Sequence, residues 1–218
     1  MKTLLLLSVS VLSMSYAANS HVFAAEGTVI NGCPIRPAAL CSGFNLQGAK
    51  LADAQLERSD LSRANLSGAD LRRAQLRAAA LDGANLQQAN LSEARLDRAD
   101  LTRADMRQAL LSKASLIAAT LIGANLTGAD LADANIRGAE LNDAQLVGAS
   151  MTGALLQRVD FSGAILKQAD LRGSDLSGAV FRNADLGGAL LTGAILRGAD
   201  FAGARTQGCR GCPPDIQP

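Results

Sequence analysis

A large apolar residue recurs at every fifth position of this chain from Leu46 to Phe201, giving 32 consecutive centres without insertion or deletion. Two positions before each centre stands Ala, except at Phe44, Ser59, Val159 and Ser174. A period this strict constrains the fold more than any local helix or strand preference, because a repeat fixes the architecture first. Five residues advance an α-helix by about 500°, so the centres would spiral around it instead of forming a stripe. A plain strand fails as well, because five is odd and successive centres would face opposite sides. The period works when each pentapeptide is a short extended piece followed by a corner. The centre and the Ala two before it then point inward together, and the other three positions face out or turn the corner. Gly in the second place after many centres, as at Gly48, Gly68, Gly123 and Gly163, fits a corner that needs positive φ.

Composition agrees with a narrow, regularly filled interior. The 218 residues are 48% hydrophobic but 3% aromatic, with no Trp, and Ala and Leu supply most of the apolar content. The net charge is +1, which gives no general attraction to nucleic acid or to acidic membranes. Residues 45–115 hold 11 basic and 9 acidic side chains and residues 116–204 hold 6 and 9, a mild dipole along the chain.

The N-terminus reads as a cleaved export signal over residues 1–24. Lys2 precedes a short apolar run through Leu12, and small residues allow cleavage after Ala24 or after Ala17. The run falls well short of the ~20 residues that span a bilayer, and no second one follows. No integral membrane segment is therefore expected once the signal is removed. The address expected is exported, periplasmic or extracellular. Residues 25–43 read as an N-terminal cap with turns at Asn31-Gly32 and Cys33-Pro34 and a short helix near Ala38–Leu40. Residues 44–204 are the repeat, and 205–218 a C-terminal cap or tail. Cys41 already occupies a centre position and Phe44 a small-residue slot, as a plug over the open end would. The four cysteines, Cys33, Cys41, Cys209 and Cys212, flank the repeat and read as disulfides in an oxidising compartment, with three pairings formally open. A redox or metal role for Cys209-Arg210-Gly211-Cys212 is disfavoured by the Pro-flanked tail and the absence of a nearby His.

Segments such as Ala64-Asn65-Leu66-Ser67-Gly68 and Ala129-Asp130-Leu131-Ala132-Asp133 resemble the pentapeptide-repeat family over about three quarters of the chain. The resemblance implies an all-β fold, a right-handed quadrilateral β-helix with four pentapeptides per coil. It would have about eight coils with short caps, and a length of roughly 38 Å at about 4.8 Å per coil. Residues twenty apart should then stack. Phe161, Phe181 and Phe201 would form one column, and Asn45, Asn65, Asn85 and Asn125 an amide column able to hydrogen-bond along itself. The same rod keeps its two ends too far apart for a cross-end disulfide, so it implies Cys33–Cys41 and Cys209–Cys212, each fastening a cap.

Chemistry is sparse. The only histidine, His21, lies in or beside the signal, which removes Ser-His, Cys-His and His-metal sites from the mature chain. Asp60, Asp100, Glu140, Asp160 and Asp200 share one column; this is the repeat's own consensus, serving corners and ladder rather than acid–base catalysis or Ca²⁺. No catalytic, cofactor or metal site is expected. Arg58, Arg98 and Arg158, and Arg63 with Arg103, read as solvated faces without the interleaved aromatics of a nucleic-acid site. The informative departures are apolar residues at outward positions. Leu110, Ile117, Leu155, Ile165, Leu190 and Ile195 form the candidate interaction surface, with Ile122, Val147 and Val180 as further departures. The function expected is a non-enzymatic exported scaffold or protein-interaction module that binds an unidentified protein or itself. The alternative is a cell-envelope or carbohydrate-binding protein that uses a polar face. Some members of the family protect DNA gyrase by imitating DNA, a role requiring an acidic surface and a cytoplasmic address that this sequence does not show.

Overall fold

The computed structural model describes residues 28–213, so the signal-like segment and His21 lie outside the described residues. Parallel backbone pairing joins each residue of the outward column to the one twenty further on, from Leu40 with Asp60 to Leu190 with Arg210. The chain therefore winds into a four-sided β-helix of about eight and a half coils, close to 41 Å long.

In a middle coil, the amides of a pentapeptide with Asp or Asn before its centre pair with the neighbouring coils, within the corner, or with that side chain. In the unit around Leu46, the Leu46 amide donates to the Asn65 carbonyl at 2.7 Å and the Gly48 amide to the Ser67 carbonyl at 2.9 Å, both in the next coil. The Asn65 amide returns to the Phe44 carbonyl at 2.9 Å, and the Ala49 amide closes the corner on the Leu46 carbonyl at 3.1 Å. The fifth amide, of Gln47, donates to Asn45 Oδ1 at 3.2 Å. This last bond explains the Asp/Asn consensus before each centre, since the side chain completes the turn that the backbone cannot. The same pattern recurs at Asp60, Asn65, Asn90, Asp130 and Asp175, among others.

Every corner residue from Gly43 to Gly208 has positive φ, whether or not it is Gly. Only the second central residue has it, which makes these type II turns. Half of the corners carry Asp, Glu, Asn, Gln, Arg, Lys or Ala at φ near +55°, and the ladder on both sides holds them there. The interior is a stack of centres and alanines at or near zero exposure. Val159 fills an Ala slot buried beside Phe161. Ser59 and Ser174 are buried in the same slot, where Ser174 Oγ donates to the Leu171 carbonyl at 2.7 Å and Ser59 Oγ to the Arg36 carbonyl at 3.2 Å. The phenylalanines stack as a column, with ring centroids 5.0 Å apart for Phe161 and Phe181 and 4.7 Å for Phe181 and Phe201. The amide column is continuous over Asn45, Asn65 and Asn85, at 3.1 and 3.3 Å, and Asp105 separates it from Asn125.

The N-terminal cap is a hairpin of β1 (Val29–Ile30) and β2 (Cys33–Pro34), turned at Asn31-Gly32 with positive φ at both residues. Gly32 lies on the Phe44 ring, where an added Cβ would stand 3.1 Å from a ring carbon. No helix forms near Ala38–Leu40. The Ala38 amide donates to the Glu57 carbonyl at 2.8 Å and Leu40 pairs with Asp60, so these residues already belong to the ladder. The ladder thus begins before Phe44 and continues past Ala204, with Cys209 in an inner slot. Cys33 is bonded to Cys41 with Cα atoms 5.3 Å apart, and Cys209 to Cys212 at 5.9 Å. At the C-terminal end Gly211 settles on the backbone of Leu191 and Thr192.

Candidate interaction surfaces

The outward residues sort into four sides, each taken with its corner. Side 1 carries Asp60 and its column, side 2 Asn65, side 3 Asp70 and side 4 Gln75. The candidate apolar residues are spread over three of them. Leu110 and Leu190 stand on side 3, four coils apart, with Asp130 next to the first and Asp170 next to the second. Leu155 and Ile195 stand on side 4 with Asp175 between them, and Ile165 stands on side 2 between Gln145 and Asp185. Ile117 is half-buried on side 4 and Leu190 is half-buried, whereas Leu110, Leu155, Ile165 and Ile195 are exposed. Ile122 is exposed at a corner of side 1. The ladder therefore aligns Leu155 and Ile195 in one column, two coils apart with Asp175 between them, and forms no continuous apolar stripe.

Charge is sorted more sharply than apolarity. Side 4 holds seven arginines (Arg58, Arg77, Arg95, Arg98, Arg137, Arg158, Arg197) against Glu57, Asp97 and Asp175, a net +4. Side 1, which adjoins it, holds seven carboxylates (Asp60, Asp82, Asp100, Glu140, Asp143, Asp160, Asp200) against Arg63, Arg103 and Arg182, a net −4. Side 2 is close to neutral and rich in amides, and side 3 is balanced. This transverse asymmetry exceeds the mild dipole along the rod. Reading single columns misses it, because the arginines of side 4 are divided among three columns; adding those columns at the twenty-residue period reveals it.

Pairing differs between the sides too. On side 3, Arg72 reaches Asp70 at 2.6 Å, Arg73 reaches Asp53 at 2.5 Å and Arg172 reaches Asp170 at 2.6 Å. The hydrogen bonds from Arg72 and Arg172 hold the Asp70 and Asp170 carboxyls below the usual range. On side 2, burial pushes the Asp185 carboxyl up, but the Gly187 amide, Arg205 and Lys167 together outweigh it and leave the group below its ordinary value. On side 4, Arg77 at 3.2 Å and Arg95 at 4.0 Å both lie against Asp97, while Arg58, Arg98, Arg137, Arg158 and Arg197 have no carboxylate within 4.0 Å among the described residues.

The column of Asp60, Asp100, Glu140, Asp160 and Asp200 is interrupted by Ala80, Thr120 and Val180. Each of its aspartates gives one oxygen to an amide two residues on. Among the described residues no group of three or more His, Cys, Asp or Glu is arranged to hold a metal ion. Among the described residues no helix is long and apolar enough to cross a membrane, the chain between 28 and 213 being ladder and turn.

The profile of the family described as pentapeptide repeats matches in overlapping segments that run from residue 39 to residue 210. The chain belongs to the pentapeptide-repeat family. Its fold is the family's right-handed quadrilateral β-helix. Full-length QnrB1, a plasmid-mediated fluoroquinolone resistance protein, shares the fold at 23% identity and a TM-score of 0.61, covering 78% of this chain and 91% of that one. HetL, a pentapeptide-repeat protein involved in heterocyst differentiation regulation in the cyanobacterium Nostoc sp. strain PCC 7120, is 35% identical over 79% of this chain and 88% of its own, with a TM-score of 0.45. No curated protein matches the chain. Members of the family are generally non-enzymatic structural or interaction proteins.

Proposed function

We propose that this pentapeptide-repeat protein is an exported, non-catalytic scaffold that holds a protein partner, or a second copy of itself, against one side of a stiff rod. The observation that carries the reading is the register. Each outward side chain is fixed on a frame whose amides pair between coils, and the four sides differ in charge. Such a surface offers a partner a pre-organised strip and costs little ordering on binding. Export is supported by the N-terminal pattern and by a disulfide at each end.

The test expresses a C-terminally tagged full chain and reads three things: the N-terminus of the exported form, its oligomeric state, and the protein that co-purifies. Processing should leave Ala18 or Ala25 first. Three sets of substitutions then probe the sides: Leu155→Asp with Ile195→Asp, Leu110→Asp with Leu190→Asp, and Ile165→Asp. One set should release the partner or dissociate the oligomer while the melting curve stays unchanged. An unprocessed chain would overturn export. A monomer from which none of the sets removes any bound protein would overturn the scaffold.

A further inference from the structure

A groove of about 900 Å³ runs along side 4 from the N-terminal cap to Ile117. Its shape follows from one column of corners that reads Ala38, Arg58, Ala78, Arg98, Ala118. Successive coils stand about 4.8 Å apart, so the two arginines rise about 10 Å from each other with a methyl-floored gap between them. Arg36 from the cap and Arg77 from the intervening coil complete the basic lining. Asp97 is engaged by Arg77, by the Ile117 amide at 3.3 Å and by Ser115 Oγ, whereas Arg36, Arg58 and Arg98 have no carboxylate within 4.0 Å among the described residues.

A second observation concerns Glu57, which also lines the groove. Its Oε2 is buried and, among the described residues, has no hydrogen-bond partner. A buried acceptor without a donor is costly. Four guanidinium groups line the same groove, yet none lies within 4.0 Å of this carboxylate. The groove thus offers three things together: spaced cations, the Glu57 carboxylate that none of them pairs with, and small apolar patches at Ala78 and Ile117.

We propose that this groove binds a linear acidic glycan, with carboxylates on Arg58 and Arg98, a sugar hydroxyl donating to Glu57, and the apolar face of a ring over Ala78. Spaced arginines suit a polymer that carries charge at intervals. A guanidinium recognises a carboxylate through paired N–H donors. Nucleic acid fits worse, since it carries a charge on every residue and no aromatic side chain lines the groove for a base to stack on. A neutral glycan leaves the arginines unused, and an acidic peptide offers few hydroxyl donors to Glu57. This inference stands apart from the scaffold reading, which requires a partner on some side but not this groove.

The test is calorimetric titration of the full chain with a hyaluronan hexasaccharide, in which every second sugar carries a carboxylate. Three comparison probes are the same hexasaccharide with its carboxylates reduced to alcohols, hexaglutamate and hexathymidylate. Binding is expected with hyaluronan alone, weakening as salt is raised. Arg58→Ala with Arg98→Ala should weaken it at least tenfold, and Ala78→Gln, which fills the floor, should abolish it. Arg172→Ala on side 3 should leave it unchanged, and melting curves establish that each variant folds. No heat with hyaluronan, equal affinity for the reduced probe, tighter binding of hexaglutamate or hexathymidylate, or an unaffected double variant would each overturn the proposal.

Discussion

Corner residues show how one backbone demand is met by different side chains. All corners have positive φ, so glycine is favoured at each for the same conformational reason. The surroundings differ. At Gly83 an added Cβ would stand 3.6 Å from Arg63 Cγ, an ordinary contact. At Gly211 it would stand 2.7–2.9 Å from backbone atoms of Leu191 and Thr192, which cannot swing away. Gly83→Ala should therefore cost only the left-handed penalty, about 1–2 kcal/mol, as at its alanine counterparts Ala78 and Ala118. Gly211→Ala should lift the C-terminal cap off the last coil. Denaturant melts of the two variants check the cost at Gly83. Limited proteolysis checks the cap, with the tail beyond Arg210 cleaved early only in the Gly211 variant. Much at this scale was legible from residue identity. The phenylalanine column and the inward alanines follow once twenty is accepted as the true period. The positive φ at arginine, glutamine and alanine corners was not legible, because nothing local in those residues asks for it; the hydrogen-bonded coils above and below impose it.

At the scale of the coil, an Asp or Asn before a centre is the element's own fastener. Its oxygen takes the one amide that neither neighbouring coil accepts. At Asp70, Asp105, Asp170 and Asp185 the ionised carboxylate also takes bonds from arginine or lysine. The carboxyls of Asp70, Asp105, Asp160, Asp170, Asp175 and Asp185 all lie below their ordinary value. The arginine two residues on is the main cause at Asp70, Asp105 and Asp170, and the Ser177 hydroxyl at Asp175. At Asp160 and Asp185 burial acts in the opposite sense but is outweighed by hydrogen bonds. A depressed folded-state value means that the stabilisation is fully present above the unfolded value, near pH 3.9, and is lost as pH falls through the folded values. The melting temperature should be flat from neutrality to about pH 5 and fall steadily below about pH 4. Asp185→Asn, which keeps the acceptor for the Gly187 amide but not the charge, should be less stable at pH 7 and show a shallower acid fall. The Asp consensus was visible as a pattern; that it serves the amide of the residue just after the centre needed the coil geometry.

For the whole molecule, the governing fact is that each coil touches only its neighbours, so stability is carried along the rod and runs out at its ends. The last coil shows this within single pentapeptides. The amides of Ile195, Asp200 and Arg205 reach back to the carbonyls of Ser174, Ala179 and Ala184 at 2.8–2.9 Å. Those of Leu196, Gly198, Phe201 and Gly203 point the other way and have no acceptor among the described residues. Leu196, Ala194 and Ala199 are correspondingly only partly buried, whereas their counterparts in the middle coils are fully buried. Amide hydrogen exchange should therefore alternate in the last coil, with Ile195, Asp200 and Arg205 slow and Leu196, Gly198, Phe201 and Gly203 fast. The middle coils should be slow at every ladder amide. Reducing both disulfides should speed exchange at the two ends first and leave the coils around Leu101 to Leu141 protected. Fast exchange spread evenly along the rod after reduction would mean that the coils unfold as one unit, and that the cysteine pairs secure the whole ladder instead of its caps.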